Sequence, residues 1–261
     1  MRVKDKVCVV TGAAGGIGEA VARRYAAEGA RGVVVADRDG ARLEAVARSI
    51  GALAVAGDIA QEAEVKRLIA AAEEKHGPVD VFFSNAGIGR AGHEAASDAA
   101  WADSWAVHVM AHVYAARALV PGMLARGSGY LLNTASAAGL LASMGSAPYG
   151  VTKHAAVALA EHLSIQYGDR GIRVSVLCPQ AVDTPMLRGT PTTAAGIDGV
   201  LSAEAVAECV IRAMDAETFL ILPHPVVADY VKRKAGDQDR WLRGMRRLRV
   251  STGEGKGAFA R

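Results

Sequence analysis

The sequence predicts an α/β protein whose core is a doubly wound parallel sheet of about seven strands flanked by helices. Two observations support this fold class. Short apolar runs rich in β-branched residues alternate with longer segments in which apolar residues recur every three and four positions. The short runs are apolar at almost every position, which is typical of parallel strands buried on both faces. Alternating strands and helices of this kind form one layered fold.

Each predicted element follows from these periodicities. The predicted strands are Val7–Val10, Val33–Ala36, Leu53–Val55, Val79–Phe83, Tyr130–Asn133, Val174–Leu177 and Phe219–Leu222. The predicted helices are Glu19–Glu28, Arg38–Ile50, Glu62–His76, Ala102–Arg126, Pro148–Tyr167 and Ala203–Met214. Less regular segments, Gly87–Ser97 and Pro185–Gly199, follow the fourth and sixth strands. Loops at the carboxyl ends of strands surround the ligand crevice of such sheets, so both are candidate site loops.

The length and composition are those of an ordinary globular protein. The chain has 261 residues, of which 51% are hydrophobic and 22% charged. A chain of this size buries roughly 75% of its unfolded surface, so stability requires neither disulfides nor a metal. No linker or repeat divides the sequence. We therefore expect residues 1–225 to form a binding and catalytic domain, and residues 226–261 to be a basic C-terminal helix and tail of that domain.

The cysteines and the N-terminus bear on the cellular compartment. Cys8, Cys178 and Cys209 show no CxxC spacing, so we expect no metal site and a reducing compartment. The opening sequence MRVKDKVCVV is charged where a signal peptide needs an apolar run, and no apolar stretch of about 18 residues follows. These features predict a cytoplasmic protein without a membrane span.

The C-terminal region is strongly basic. Residues 232–261 contain ten basic and three acidic residues, a balance of 10 − 3 = +7, whereas the whole chain is 30 − 27 = +3. Such a tail could contact nucleic acid or an anionic membrane surface. The alternative is a solvated helix face, and we expect no nucleic-acid partner. A broken apolar stripe supports that alternative: Val227, Tyr230, Val231, Trp241, Leu242, Met245 and Leu248.

A glycine-rich turn follows the first predicted strand. Thr11–Gly18, with the sequence TGAAGGIG, leads directly into a helix. Gly12 permits a tight turn, Gly16 lets a pyrophosphate approach the backbone, and Gly18, which follows Ile17, permits close helix packing. The unpaired N–H groups at the helix start would bind the phosphates. This order of strand, turn and helix predicts a dinucleotide site.

Asp37 lies at the end of the second predicted strand, 19 residues beyond Gly18. A carboxylate there can accept hydrogen bonds from both adenosine ribose hydroxyls and would repel the additional phosphate of NADP, so NAD is favoured. Two alternatives remain open. Asp37 could merely cap the following helix, and Arg38 could meet a 2′-phosphate, although Ala14 stands where a basic residue would suit that phosphate better.

Three polar residues form a candidate catalytic group. Tyr149 and Lys153 are four positions apart on a predicted helix and therefore share a face. A nearby ammonium favours the phenolate of a tyrosine, whose ordinary pKa is about 10, and so makes it a usable proton donor and acceptor. Ser136 ends the fifth predicted strand and could hold a substrate oxygen beside that phenol.

Together, Thr11–Gly18, Asn85-Ala86-Gly87, Ser136 and Tyr149-Gly-Val-Thr-Lys153 resemble the short-chain dehydrogenase/reductase family, in its order and spacing, over about residues 5–223. The resemblance implies a Rossmann-type fold and hydride transfer between a nicotinamide and an alcohol or ketone. It also implies that Lys153 contacts the nicotinamide ribose. The usual assembly of the family is a homotetramer, in which the helices around Ala102–Arg126 and Pro148–Tyr167 pair across subunits.

The resemblance implies further cofactor contacts. Asp58 and Ile59 match the adenine site, although Asp58 could instead cap a helix. Asn85 and Gly87 match a turn bordering the cofactor, where Asn85 is mainly structural. The remaining matched positions lie after the sixth strand, near the nicotinamide: Pro179, Val182 and Thr184. Thr184 could alternatively serve only the turn.

Two residues depart from the family pattern. His108 occupies the place of an asparagine that links the lysine to solvent in a proton relay. It could act as a substituted relay, pack the helix, or mark loss of the relay. A relay role predicts that His108→Asn keeps cofactor affinity and changes the pH dependence of turnover. Gln180 replaces a common glycine and could shape substrate choice or merely lie on the rim.

The remaining rim positions suggest the substrate. They are apolar: Leu140, Leu141, Met144, Met186 and Leu187. We therefore expect an NAD-dependent alcohol dehydrogenase or carbonyl reductase for a largely apolar secondary alcohol or ketone, with Ser136, Leu140, Gln180 and Met186 contacting it. The alternatives are an NADPH-dependent ketoreductase and a non-catalytic dinucleotide-sensing binding protein.

Overall fold

A seven-stranded parallel sheet is the centre of the structure, a computed structural model that describes residues 1–187 and 194–253. The strands are β1 (Val7–Thr11), β2 (Gly32–Asp37), β3 (Leu53–Ala56), β4 (Val81–Ser84), β5 (Gly129–Thr134), β6 (Ile172–Leu177), β7 (Val182–Asp183), β8 (Leu201–Ser202) and β9 (Leu220–Ile221). The sheet has the order β3-β2-β1-β4-β5-β6-β9, and β7 pairs with β8 outside it. The predicted fold class is confirmed.

Helices cover both faces of this sheet. They are α1 (Gly16–Ala27), α2 (Gly40–Ile50), α3 (Glu62–His76), α4 (Asp98–Trp105), α5 (Ala111–Ala125), α6 (Ala147–Tyr167), α7 (Ala203–Asp215), α8 (Val226–Gly236) and α9 (Gln238–Thr252). One buried apolar layer packs α3, α5 and α6 against the sheet, with residues such as Leu68, Leu119 and Leu163. The other packs α1, α2 and α7, with residues such as Val21 and Val206.

The strand order reverses between β1 and β4. From β1 the chain builds outward through β2 and β3, and then returns to the other side of β1 for β4 and β5. The connections on the two sides of such a switch point leave in opposite directions, which opens a crevice at the carboxyl edge of the sheet. The glycine turn, Asp37 and Ser136 all lie at this edge.

The helix predicted over Ala102–Arg126 differs from the observed one. It begins earlier, at Asp98, because the Ser97 side chain caps it by accepting a hydrogen bond from the Ala100 amide at 3.3 Å. It is also interrupted by a π-helical turn, Ala106–Met110, which separates α4 from α5. Such turns concentrate at functional sites, and this one contains His108.

Smaller differences occur elsewhere. The strand predicted over Val79–Phe83 is shifted to β4, the one predicted over Phe219–Leu222 is reduced to β9, and the pair β7–β8 was not predicted. Part of the predicted loop Pro185–Gly199 lies outside the described residues. In the part of the chain that the structure describes, no helix combines the length and apolar character needed to cross a membrane.

The basic C-terminal region forms two helices. The chain breaks between α8 and α9 at Asp237, whose carboxylate accepts a hydrogen bond from the Arg240 amide at 2.9 Å and so caps α9. The predicted apolar stripe packs only in part. Val227 of α8 is fully buried, but none of the α9 residues, all of them described, is buried, and Leu242 remains 45% exposed.

Candidate active site

A cleft of about 1710 Å³ opens at the carboxyl edge of the sheet. It runs from Asp37 at the end of β2, past the glycine turn, to Ser136 after β5 and Tyr149 on α6. Residues of α8 and α9 close its far side. The predicted cofactor and catalytic positions thus border one continuous space, except for Gly18 and His108, which are not on the described cleft wall.

The glycine turn has the shape that a dinucleotide phosphate requires. Gly12 has a φ of +67°, and a Cβ there would lie 2.7 Å from the Ala86 Cα. A Cβ on Gly18 would lie 2.2 Å from the Gly12 carbonyl oxygen, so this glycine lets α1 pack closely. Gly15, at the start of α1, faces open space, and no side chain in the described part of the chain caps the helix. The free N–H groups fit a pyrophosphate.

Gly16 and Ile17 lie on the cleft wall beside this opening. Gly16 has a φ of +58°, and a Cβ there would lie 2.9 Å from the Thr184 Cγ2 atom. The glycine turn therefore touches the segment after β6, where the nicotinamide contacts were predicted. Thr184, Pro179 and Val182 all line the cleft.

The Asp37 carboxylate is held at the end of the cleft where β2 ends. Its Oδ2 atom accepts a hydrogen bond from the Ala14 amide at 3.1 Å, and its Oδ1 atom accepts one from the Asp39 amide at 3.1 Å. Asp39, not Asp37, caps α2 by accepting from the Arg42 amide at 3.1 Å. The helix-capping alternative for Asp37 is therefore not what the structure shows. Arg38 is exposed and also borders the cleft.

Asp58 and Ile59 border the same end of the cleft. The Asp58 Oδ1 atom accepts a hydrogen bond from the Ala60 amide at 3.1 Å, which stabilises the turn before α3. The N-cap of α3 itself is Gln61. Asp58 thus orders a turn on the cleft wall, and Ile59 is mostly buried beneath it.

Asn85 joins three strands behind the cofactor region. Its Nδ2 atom donates to the carbonyl oxygens of Thr11 at 3.1 Å and Gly12 at 3.4 Å, and its Oδ1 atom accepts from the Thr134 hydroxyl at 3.0 Å. The side chain therefore fixes the glycine turn to the ends of β4 and β5. Gly87 also lies on the cleft wall. A Cβ atom at this position would lie 3.8 Å from the Lys153 Nζ atom.

The three predicted catalytic residues meet on one wall. Ser136 follows β5; its hydroxyl accepts from the Ala138 amide at 3.1 Å and donates to the Pro179 carbonyl at 3.4 Å. Tyr149 lies in the first turn of α6, which Ser146 caps by accepting from the Tyr149 amide at 3.0 Å. The Lys153 Nζ atom lies 5.6 Å from the centroid of the Tyr149 ring and donates to the Thr134 carbonyl at 2.9 Å.

Burial governs the protonation of this group. It raises the pKa of Tyr149 above its ordinary value, and a hydrogen bond with Ser136 opposes that rise. It also lowers the pKa of Lys153 from 10.5 to about 8. From the sequence, we expected the Lys153 ammonium to favour the Tyr149 phenolate. Burial is the largest cause of the shift in both pKa values, and it moves each side chain toward its neutral form.

His108 lies in the π-helical turn, and its buried ring contacts α6. The Ile88 amide donates to its Nε2 atom at 3.1 Å, so the neutral ring carries its proton on Nδ1 and donates to the Thr152 hydroxyl at 2.9 Å. Thr152 donates in turn to the Pro148 carbonyl at 2.7 Å. Burial, followed by the charge of Lys153, lowers the pKa of His108 to about 2. The ring therefore remains neutral with both nitrogens engaged.

Comparison with known proteins places this architecture in a family. The family model described as short chain dehydrogenase matches residues 6–195. The chain belongs to the short-chain dehydrogenase/reductase family. The match covers every strand of the dinucleotide half, the glycine turn, and the Ser136, Tyr149 and Lys153 positions.

Individual members of the short-chain dehydrogenase/reductase family resemble the chain over most of its length. The 1-deoxy-11-beta-hydroxypentalenate dehydrogenase of Streptomyces exfoliatus is 40% identical over 236 residues, which cover 85% of this chain and 84% of the relative. The meso-2,3-butanediol dehydrogenase of Serratia marcescens is 37% identical over 196 residues, covering 73% and 77%. A family member from Burkholderia phymatum, solved in complex with NAD, superposes with a TM-score of 0.83 at 31% identity, covering 92% and 96%.

In our chain, the residues at the predicted substrate end of the cleft differ in part from the prediction. Gln180 and Met186 border the cleft, but Leu140 does not lie on the described wall. Leu140 instead packs against the apolar core, and Leu141 takes the position on the cleft. Adjacent side chains at this turn point in different directions, and the sequence pattern alone does not show which of the two faces the cleft.

The Gln180 amide has a defined orientation. Its Nε2 atom donates to the Asp198 Oδ2 atom at 2.9 Å, and Asp198 also accepts from the Tyr230 hydroxyl at 3.0 Å. Because a carboxylate only accepts hydrogen bonds, the amide nitrogen must face Asp198. The Gln180 Oε1 atom is buried and has no hydrogen-bond partner among the described residues. This oxygen is therefore a hydrogen-bond acceptor beside the cleft.

Two residues near the site were not predicted from the sequence. His112 is buried, and neither of its ring nitrogens has a partner among the residues described. Lys234 of α8 donates to the carbonyls of Leu140 and Leu141, each at 2.8 Å, and so fastens α8 over the segment after Ser136. No local pattern marks either residue, because the burial of His112 and the hydrogen bonds of Lys234 both depend on segments distant in sequence.

Proposed function

We propose that the chain is an NAD-dependent oxidoreductase that transfers a hydride between NAD and a secondary alcohol or its ketone. The observation that carries the proposal is the meeting of Ser136, Tyr149 and Lys153 on the wall of a cleft whose other end is the glycine turn. The names of the relatives support an alcohol substrate, since one is named for a hydroxypentalenate and another for a butanediol.

The choice of NAD over NADP is supported by Asp37. Its carboxylate, fixed by the Ala14 and Asp39 amides, presents negative charge at the end of β2, where an adenosine ribose would lie. Ribose hydroxyls can donate to it, whereas a 2′-phosphate would be repelled. The Burkholderia phymatum relative was solved with NAD, which agrees with this preference.

The roles of the chain's own residues follow from their bonding. Bound NAD supplies a hydride acceptor, and NADH a hydride donor. The Ser136 hydroxyl holds the substrate oxygen, and the Tyr149 hydroxyl takes its proton during alcohol oxidation or returns it during ketone reduction. The Lys153 ammonium, 5.6 Å from the Tyr149 ring centroid, stabilises the phenolate that forms. Lys153 binds the nicotinamide ribose with the donors that Thr134 leaves free.

The other cofactor contacts are proposed from their places on the cleft wall. Gly12, Gly16 and Ile17 hold the pyrophosphate, with Gly18 supporting the turn from behind. Asp58 and Ile59 face the adenine, Asn85 and Gly87 support the centre, and the nicotinamide end is formed by Pro179, Val182 and Thr184. At the substrate, Gln180 and Met186 border the mouth.

The proposed homotetramer remains a prediction. Three large apolar side chains are exposed on the helices that the family pairs across subunits: Trp105 on α4, and Val151 and Ile165 on α6. Burial of such side chains between copies would remove apolar surface from water. Light scattering on the purified chain measures the assembly directly.

The proposed function is tested by following reduced-nicotinamide absorbance with NAD and NADP in parallel over secondary alcohols and ketones. We expect turnover with NAD and its loss, by at least about a thousandfold, in Tyr149→Phe with cofactor affinity retained. Tyr167→Phe, on α6 but away from the cleft, is the matched control and should turn over normally. Preferred turnover with NADP would instead support the ketoreductase alternative, and cofactor binding without turnover of any substrate would contradict the enzyme assignment.

A further inference from the structure

We propose that the substrate of this enzyme carries a carboxylate on an apolar body, and that Arg240 and Arg247 of α9 bind that carboxylate. The inference rests on the proposed function, because it names the class of alcohol that the site accepts. It changes the expectation from sequence, in which the substrate was largely apolar throughout.

The two arginines lie on the face of α9 that borders the cleft. They are seven residues apart, which is about two helical turns, so their side chains emerge from one side of the helix. Apolar residues of the same face also border the cleft: Trp241, Met245 and Leu248. Three further arginines of α9 are absent from the described cleft wall: Arg243, Arg246 and Arg249.

This face overlies the catalytic end of the cleft. Trp241 contacts Tyr230 of α8, with ring centroids 6.4 Å apart, and Tyr230 bonds to Asp198. Lys234 fastens α8 to the segment that follows Ser136. The helix α9 also contacts the turn Ala194–Gly196. Asp37 marks the opposite end, so these arginines are placed to meet a substrate, not the adenosine.

The charge of the two arginines is not neutralised by the protein. None of the ion pairs within the described residues includes Arg240 or Arg247. Arg90, also on the cleft, is paired with Asp103 at 2.9 Å. Two acidic residues on this side of the cleft make other hydrogen bonds, since Asp237 caps α9 and Asp198 accepts from Gln180 and Tyr230. The far wall of the cleft is therefore cationic.

The composition of the walls defines the ligand. A guanidinium group binds a carboxylate through two parallel charged hydrogen bonds, which are stronger than neutral ones. The same cleft wall also contains large apolar side chains: Leu141, Met144, Met186, Trp241 and Met245. A substrate with its hydroxyl at Tyr149, an apolar body and a carboxylate at α9 satisfies all three regions.

The test measures binding, so that it does not depend on turnover. The full chain, saturated with the reduced nicotinamide cofactor that it binds more tightly, is titrated by calorimetry with cyclohexanecarboxylate and with cyclohexanecarboxamide. We expect the acid to bind at least about tenfold more tightly than the amide at low salt, with the preference falling as salt rises. In the double variant Arg240→Gln/Arg247→Gln that preference should disappear.

The double variant Arg246→Gln/Arg249→Gln is the matched control, because it removes the same charge from the side of α9 that does not border the described cleft. It should keep the preference for the acid. Equal affinity of the two probes, failure of the acid to bind, or an equal loss in both double variants would each overturn the proposal. If the acid binds preferentially but no alcohol or ketone is turned over, the proposed function fails and the carboxylate site stands. If neutral alcohols are turned over but the two probes bind equally, the carboxylate site fails and the proposed function stands.

Discussion

The imidazole ring of His108 meets the phenol ring of Tyr149 edge to face, with centroids 5.4 Å apart and planes at 87°. The same imidazole is fixed by Ile88 and bonds to Thr152, one turn along the helix that carries Tyr149. Edge-to-face ring contacts contribute about 0.5–1.5 kcal/mol and restrict orientation. The geometry therefore favours the packing role for His108, as a residue that positions the phenol, over the relay role.

The substitution His108→Asn separates the two roles. We expect it to keep cofactor affinity and to lower kcat by about tenfold, because the phenol loses its lateral support. The shape of the pH profile between about pH 6 and 9 should not change, since burial holds the pKa of His108 at about 2 and the ring stays neutral there. The measurement is turnover against pH, with exposed His162→Asn on α6 as the control. A shifted profile would establish the relay instead.

The substitution Asp37→Asn tests cofactor selection. The amide can accept only through one oxygen and carries no charge, so we expect NAD to bind about ten- to a hundredfold more weakly and NADP to gain relative to NAD. The ratio of the two cofactor affinities, measured by fluorescence titration, reports the effect. Asp39→Asn, at the cap of α2, serves as the control. An unaltered ratio in Asp37→Asn would mean that Arg38 and its surroundings set the preference.

The burial of His112 predicts that the free energy of unfolding falls in acid. Burial lowers its pKa from 6.5 to about 3, so the unfolded chain takes up a proton between these pH values that the folded chain does not. Stability is full above about pH 6.5 and falls as the pH falls toward 3. Between pH 6.5 and 5 the expected loss from this residue is about 1.5 kcal/mol.

Urea unfolding of His112→Leu at pH 6.5 and pH 5 measures that contribution as a difference between the two pH values, which cancels the direct packing effect of the substitution. The variant should lose less stability than the wild-type chain over this interval. His162→Asn should behave as wild type. If His112→Leu shows the full wild-type pH dependence, the histidine is not buried in neutral form.

Lys234→Met tests the attachment of α8 over the substrate end. The variant loses two charged hydrogen bonds to the Leu140 and Leu141 carbonyls, so we expect KM for the alcohol to rise roughly three- to tenfold with little change in cofactor affinity. Lys232→Met removes the same charge from a side chain that is 79% exposed and is the matched control. Equal KM values in both variants would show that the attachment is unimportant for substrate binding.

The sequence predicted the parts of the molecule whose signals are local. The glycine turn, the buried strands and the four-residue spacing of Tyr149 and Lys153 are set by neighbouring residues, and the structure brings them to one cleft. The start of α4 was predicted four residues late, because the decisive signal was the single cap at Ser97 and not the apolar periodicity.

Other features were beyond local patterns. The π-helical turn around His108 inserts one residue into the helical hydrogen-bonding pattern, and the apolar periodicity of the sequence does not predict such an insertion. The shifted pKa values of Tyr149 and Lys153 arise from desolvation, which depends on what surrounds these side chains in three dimensions. The direction of Leu140 and the placement of Arg240 and Arg247 on the cleft depend on how distant segments pack.

The family match ends at residue 195, whereas α8 and α9, which form the far wall of the cleft, lie beyond it. The chemistry is anchored in the sheet, and the cover rests on it through a few contacts such as those of Lys234 and Tyr230. Because the two parts share few contacts, we expect that the segment after β9 can be exchanged between relatives. A chimaera that keeps the sheet and α6 but takes the C-terminal segment of another relative would then have a new substrate specificity and the same hydride chemistry.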